Sequence, residues 1–157
     1  LEAPELTAEV LVDGWLRTGD LGHIDASGHL KLVGRAKNMI VTAGGKNVYP
    51  EDIEAAFDDL SGVEEFAVFA ANFIWPQKTL VAEQLVLVLR PKAAEDTDAL
   101  LAQVRALNLT LNEYKRLAAV VSWPAEFPRT ASQKIKRELL AREVGKTLTR
   151  ADALKAL

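Results

Sequence analysis

Three short segments of this sequence carry residue types suited to chemistry, and each also has a plainer use. The first is Trp15-Leu16-Arg17-Thr18-Gly19-Asp20. A carboxylate in a glycine turn can accept two hydrogen bonds from a vicinal diol, as on a ribose. The same aspartate would also serve in a hairpin turn, capping backbone N–H groups. The second segment is Gly34-Arg35-Ala36-Lys37-Asn38-Met39-Ile40, continuing to Gly44-Gly45-Lys46-Asn47-Val48-Tyr49-Pro50 and Glu51-Asp52-Ile53-Glu54. An arginine at a strand end can reach a hydroxyl or a phosphate, and paired glycines let a backbone approach a ligand closely. Alternatively this is a hairpin leading into a capped helix, with Arg35 and Lys37 solvated. The third is Pro128-Arg129-Thr130-Ala131-Ser132-Gln133-Lys134-Ile135-Lys136-Arg137. A lysine in a polar loop is a movable point charge for phosphate or carboxylate; otherwise the stretch is a basic helix start facing water.

The surrounding pattern says what must hold these residues. The first ~35 residues do not read as a compact unit. Residues 21–24 and 29–33 flank the turn signal Asp25-Ala26-Ser27-Gly28 and read as a β-hairpin. Two strands alone are marginal in water, so the hairpin is expected to be the remnant of a larger sheet. Met39, Ile40 and Val41 form a short strand before a Gly44-Gly45 turn. Pro50 fits the first position of a helix, with Glu51, Asp52 and Glu54 near its positive end. Ile53, Ala56, Phe57 and Leu60 share one face of it, and Ser61-Gly62 closes it. Strands are expected at 65–71, 84–89 and 118–123. A helix is expected over 96–107, with a break at Asn108-Leu109-Thr110 and a second helical stretch through Tyr114 and Leu117. The polar stretch from Pro128 turns into a basic helix. The fold class is therefore α+β: a small sandwich whose central three-stranded sheet is covered by helices.

Bulk properties narrow the function. The chain has 157 residues and a formal charge of −3, which gives no sign of a nucleic-acid or anionic-membrane partner. It contains no cysteine, so thiol nucleophiles, disulfides and Cys-ligated metals are excluded. His23 and His29 lack carboxylates at metal-ligand spacing on a helix, and no metal site is expected here. No apolar run is long enough to span a bilayer. The acidic start LEAPELTAEV lacks a signal-peptide layout, and a cytoplasmic protein is expected.

Together the three segments resemble the acyl-CoA synthetase, luciferase and peptide-synthetase adenylation superfamily. Its late motifs run Y/W-x-x-TGD, then GR-x-D/K with a glycine loop and a P-x-EIE helix, then P-x-T-x-x-G-K-x-x-R. This sequence offers WLRTGD, GRAKNMIVTAGGKNVYPEDIE and PRTASQKIKR in that order, from residue 15 to residue 137. The SQKIKR form, with GGKNVYP and EFPRT, is most similar to long- or medium-chain fatty acid–CoA ligases. Two positions depart from the common pattern. Gln133 stands where the family often has glycine, and Lys37 stands where aspartate is the commoner hinge residue. Lys136 is a second lysine close to Lys134.

The resemblance implies a division into residues 1–36, the end of a large ATP-binding domain; 37–148, a mobile small domain; and a tail, 149–157. It implies that Asp20 and Arg35 hold the ribose of ATP and of the acyl-adenylate, and that Lys37 is the hinge. Gly44, Gly45 and Lys46 would help form a tunnel for the pantetheine arm after rotation. Lys134 would bridge the carboxylate and the α-phosphate during adenylation. The implied substrates are a carboxylic acid, ATP and CoA. Mg²⁺, the phosphate loop, the adenine pocket and the acyl pocket are expected in a large N-terminal domain upstream of Leu1, and the chain alone is expected to be inactive. Two alternatives stand beside this: a ligase loading the phosphopantetheine of a carrier protein, and a non-catalytic module that kept the fold.

Overall fold

The computed structural model describes residues 3–42, 44–77, 83–93 and 96–153. Its first part is a string of small elements. Helix α1 (Pro4–Val10) starts on a proline, whose missing N–H has no partner to lose in a first turn. Strands β1 (Leu11–Val12) and β2 (Trp15–Leu16) pair across Asp13 and Gly14, whose φ angles are 51° and 80°. A two-residue type I′ turn needs positive φ at both central positions, and Asp-Gly accepts it readily. The expected hairpin follows as antiparallel β3 (Asp20–Ile24) and β4 (Leu30–Arg35). Its turn is held by Asp25 Oδ1, which accepts the N–H groups of Ser27 and His29 at 2.8 and 3.0 Å. Ile24, Leu30 and Leu32 are 72%, 67% and 69% exposed. A hairpin that leaves such side chains uncovered gains little from its own burial.

A 3₁₀ turn at Ala36–Asn38 leads from the hairpin into β5 (Ile40–Val41), which pairs with β6 (Asn47–Val48). Helix α2 (Pro50–Glu54) begins on its proline, as the sequence suggests, and runs on as a 3₁₀ turn through Phe57. Its apolar face carries Ile53 and Phe57, both fully buried.

The rest is the sandwich. Strands β7 (Val63–Ala70), β8 (Leu85–Pro91) and β9 (Leu117–Ser122) form a sheet in the order β7-β8-β9. β8 is antiparallel to β7 and parallel to β9. Helix α3 (Ala71–Ile74) follows β7, and α4 (Thr97–Thr110) is the crossover that a parallel pair requires. Helices α5 (Arg137–Thr147) and α6 (Arg150–Ala153) end the described chain. The central strand shows why two layers form. Val86 and Val88 face a core with Phe69, Trp75, Leu140 and Val144, whereas Leu85, Leu87 and Leu89 face a second core with Ile53, Phe57, Leu100 and Val104. Alternation along β8 thus divides its side chains between two faces, each covered by helices. Burial of each such Leu or Val contributes about 1.5–3 kcal/mol.

The expected break at Asn108-Leu109-Thr110 does not occur, and α4 runs unbroken to Thr110. Asn108 is buried, and its side chain bonds both backbone groups of Leu117. It donates to the Leu117 carbonyl at 3.0 Å and accepts the Leu117 N–H at 2.7 Å. The residue that looks like a helix breaker is a side-chain link from α4 to the first residue of β9. The expected second helical stretch reduces to one 3₁₀ turn, Glu113–Lys115, and Leu117 opens a strand.

Candidate active site

The β3–β4 hairpin meets the sandwich along an open cleft of about 1540 Å³. Asp20, Arg35, Lys37 and Lys134 all line it. Asp20 opens β3, Arg35 closes β4, and the hairpin register sets them opposite each other. Arg35 Nε lies 2.9 Å from Asp20 Oδ1. A pair this exposed adds only about 0–1 kcal/mol of stability; its stronger effect is to fix the direction of the carboxylate. The turn before Asp20 is set by Gly19, with φ 76°, and by the Asp20 N–H donating to Thr18 Oγ1 at 3.1 Å. The Ala36 N–H donates to the Gly19 carbonyl at 2.9 Å and closes the open end.

Lys134 sits on the returning arm of a small hairpin-like loop, just after the turn that Thr130 and Gln133 close. Arg129 and Ile135 form an antiparallel bridge at its base, and the Lys136 N–H donates to the Pro128 carbonyl at 2.7 Å. The Thr130 N–H donates to the Lys134 carbonyl at 2.8 Å, and the Lys134 N–H donates to Thr130 Oγ1 at 3.1 Å. Gln133 precedes the lysine with φ 64°. That left-handed geometry is one that glycine adopts freely and an L-residue adopts at a cost. It gives a physical reason for glycine at this position in the resembling motif. Lys134 is exposed, and its ammonium has no ion-pair partner among the described residues.

Two carboxylates anchor this loop and the helix that follows it. Glu65 on β7 accepts Arg129 through Nε and Nη2 at 3.1 and 2.6 Å, Arg90 Nη1 at 3.1 Å, and the Phe127 N–H at 3.0 Å. Burial alone would raise the Glu65 carboxyl; the hydrogen bonds from Phe127, Arg129 and Arg90 outweigh it and hold the group below its ordinary 4.5. Glu54 on α2 takes Arg137 Nη2 at 2.6 and 2.8 Å, while Arg137 Nη1 donates to the Val68 carbonyl and the guanidinium lies 5.5 Å from the Phe69 ring centroid. Arg137 therefore ties the start of α5 to both α2 and the sheet.

Lys37 occupies the 3₁₀ turn between the hairpin and β5, exposed to water. Its neighbour Asn38 donates to Glu51 Oε1 at 2.6 Å, which fixes the sandwich side of that turn. Gly44, Gly45 and Lys46 lie in the β5–β6 turn and do not line the cleft. Gly45 has φ 71° and donates to the Thr42 carbonyl; Gly44 borders a smaller hollow of about 250 Å³ with Tyr114 and Arg116. Among the described residues, no group of three or more His, Asp or Glu could hold a metal ion. No helix among them is long and apolar enough to cross a membrane.

No protein-family model matches the chain. Individual proteins do. A long-chain-fatty-acid–CoA ligase of Bacillus subtilis is 36% identical over 140 residues, which is 89% of this chain and 24% of the relative. A 2-succinylbenzoate–CoA ligase of Geobacillus kaustophilus is 35% identical over 93% of this chain and 28% of its own length. Among solved structures, a fatty acyl CoA synthetase of Mycobacterium tuberculosis matches at 31% identity over 92% of this chain and 27% of its own, with a TM-score of 0.60. This chain belongs to the adenylate-forming superfamily. An anthranilate CoA ligase in complex with anthranoyl-AMP superposes with a TM-score of 0.73 at 26% identity, covering 94% of this chain and 28% of that one. The chain spans about a quarter of the length of the superfamily members it matches.

Within this superfamily member the sequence pattern singled out Asp20, Arg35, Lys37 and Lys134, and one cleft holds all four. It missed Glu65, whose partners lie 25, 62 and 64 residues away. Glu65 stands beside Glu64 at the polar start of β7, and no local signal sets it apart. The pattern also missed the link between Glu54 and Arg137, two residues present in the motifs but 83 positions apart.

Proposed function

We propose that the chain is the C-terminal part of an AMP-forming acid–CoA ligase, carrying the end of the large domain (residues 1–36), the mobile small domain (37–148) and a short tail (149–157). In the first half-reaction the acid carboxylate attacks the α-phosphate of ATP, forming the acyl–O–P bond of acyl-AMP as pyrophosphate leaves. In the second, the CoA thiol gives up its proton, attacks the acyl carbonyl and releases AMP. Asp20 accepts the ribose hydroxyls, with Arg35 beside it. Lys134 lies between the two anions of the first step, offsets their repulsion and orients the attack. Rotation about Lys37 then withdraws the lysine and brings Gly44, Gly45 and Lys46 towards the pantetheine arm.

The observation that carries this reading is the cleft shared by Asp20, Arg35 and Lys134, with an exposed ammonium, on an ordered loop, that has no ion-pair partner among the described residues. The exposed apolar side chains of the hairpin fit attachment to a larger domain. Mg²⁺ accompanies ATP in this reading, with its ligands in that larger domain. The acid is an acyl or aryl carboxylate; relatives named for fatty-acid, succinylbenzoate, chlorobenzoate and feruloyl substrates all match. A fatty acid is the narrower reading, supported by the fatty acyl ligases among them. Use of ATP and CoA favours a cytoplasmic enzyme.

The test is to supply the full-length protein with ATP, Mg²⁺, CoA and a panel of aliphatic and aromatic acids. Release of AMP and pyrophosphate with formation of an acyl-CoA is expected, and the 157-residue chain alone should release neither. Full-length protein that binds ATP and never releases pyrophosphate with any acid would refute the reading.

A further inference from the structure

Lys134 is exposed, yet the loop beneath it is tightly built, and one guanidinium connects the two. Arg129 Nη1 donates to the Gln133 carbonyl at 2.6 Å, immediately before the lysine. The same side chain meets Glu65 Oε1 through Nε and Nη2 at 3.1 and 2.6 Å. Glu65 stands on β7, an edge strand of the sheet, with its side chain 10% exposed. Its other oxygen takes Arg90 Nη1 from β8 at 3.1 Å and the Phe127 N–H at 3.0 Å. Phe127 is itself buried, in the same core as Val88 and Leu140. An unbroken chain of charge-assisted hydrogen bonds therefore runs from two sheet strands to the peptide that orients Lys134.

We propose that Glu65 and Arg129 form the strut that positions Lys134 for adenylation. The proposal rests on the reading of Lys134 given above. Two guanidinium N–H groups converging on one carboxylate oxygen, with a third on the Gln133 carbonyl, fix direction as well as distance, and a lysine cannot reproduce that fork. The third bond to the Gln133 carbonyl matters because Gln133 is in the left-handed region, φ 64°, where the backbone tends to relax to a more open form. Without Arg129 that carbonyl loses its donor, the turn opens, and the ammonium is spread over a larger volume. Glu65 and Arg129 never touch a reacting atom in this scheme, so they are positioning residues. Their loss is a loss of geometry, and an offset of about 1 Å in a reacting group costs about a hundredfold in rate.

The experiment uses the full-length enzyme and compares Glu65→Gln, Arg129→Lys, the double variant and Lys134→Ala. Each is measured for acid-dependent ATP–pyrophosphate exchange and for thioester formation from supplied acyl-AMP. The strut predicts that each single variant lowers kcat of the first step by about tenfold to a hundredfold, with KM for ATP and acid little changed. The double variant should be no worse than the poorer single, because both remove one device. The second step should continue in all of them. Equal losses in both steps would make Glu65 and Arg129 supports of the domain as a whole and overturn the proposal. So would an unchanged first step in Glu65→Gln while Lys134→Ala abolishes it. Unchanged adenylation in Lys134→Ala would instead overturn the reading of Lys134 itself.

Discussion

Replacing Gln133 by glycine should stabilise this protein, contrary to the usual effect of glycine. Gln133 has φ 64°. A left-handed conformation costs an L-residue about 1–2 kcal/mol. Glycine escapes that cost, but its freer unfolded chain takes back about 0.5–1 kcal/mol. The contacts that place Gln133 are main-chain ones: its N–H donates to the Thr130 carbonyl at 3.0 Å, and its carbonyl accepts Arg129 Nη1 at 2.6 Å. The side chain is exposed, so truncation removes no packing. The balance is a gain of about 0.5–1 kcal/mol for Gln133→Gly. Gln133→Ala should be near neutral, and Gln133→Val should lose about 1 kcal/mol or more, because a β-branched residue tolerates positive φ poorly. Urea unfolding of the four proteins, read by Trp fluorescence, measures this. A Gln133→Gly variant less stable than wild type, or a valine variant equal to it, would refute the argument that backbone strain sits at this residue.

Asn108→Ala leaves both backbone groups of Leu117 without their partner, and a loss of about 2–4 kcal/mol is expected in the same unfolding assay; a loss under about 0.5 kcal/mol would mean water replaces the side chain. The folded Glu65 carboxyl titrates below its ordinary 4.5. Its contribution is therefore complete above about pH 4.5 and fades as pH falls through the lower folded value. The stability gap between wild type and Glu65→Gln should narrow steadily below about pH 4.5, and a gap that widens on acidification would contradict the hydrogen-bond account. Lys37→Pro fixes one torsion at the proposed pivot; it is expected to slow thioester formation more than adenylation in the full-length enzyme, and matched rates would move the pivot elsewhere.

Much of the sandwich was legible because its signals are local. The alternation of Leu and Val in β8 marks a strand buried on both faces, and Pro50 with Glu51 and Asp52 marks a helix start. The cleft residues were legible through their motifs and the hairpin through its turn at Asp25–Gly28, but the pairing of Asp20 with Arg35 was not: the turn alone would set Asp20 opposite Gly34, and a bulge between Leu21 and Gly22 shifts it by one residue. Long-range partners were not legible. Nothing near Asn108 in the chain shows that Leu117 will need its side chain, so propensity suggested a break where tertiary bonding continues a helix. Glu65 read only as the first residue of an expected strand, and its partners Arg90, Phe127 and Arg129 lie too far along the chain for any local pattern to show them. The Asp13-Gly14 hairpin escaped notice because its strands, two residues each, are too short for any period to register.

The most direct measurement is made on Lys134→Ala in the full-length enzyme, with the two half-reactions assayed apart. Acid-dependent ATP–pyrophosphate exchange should fall by about a hundredfold or more, while acyl transfer from supplied acyl-AMP to CoA proceeds at close to the wild-type rate. Exchange at the wild-type rate, or an equal fall in both reactions, would contradict a lysine that serves only the first step.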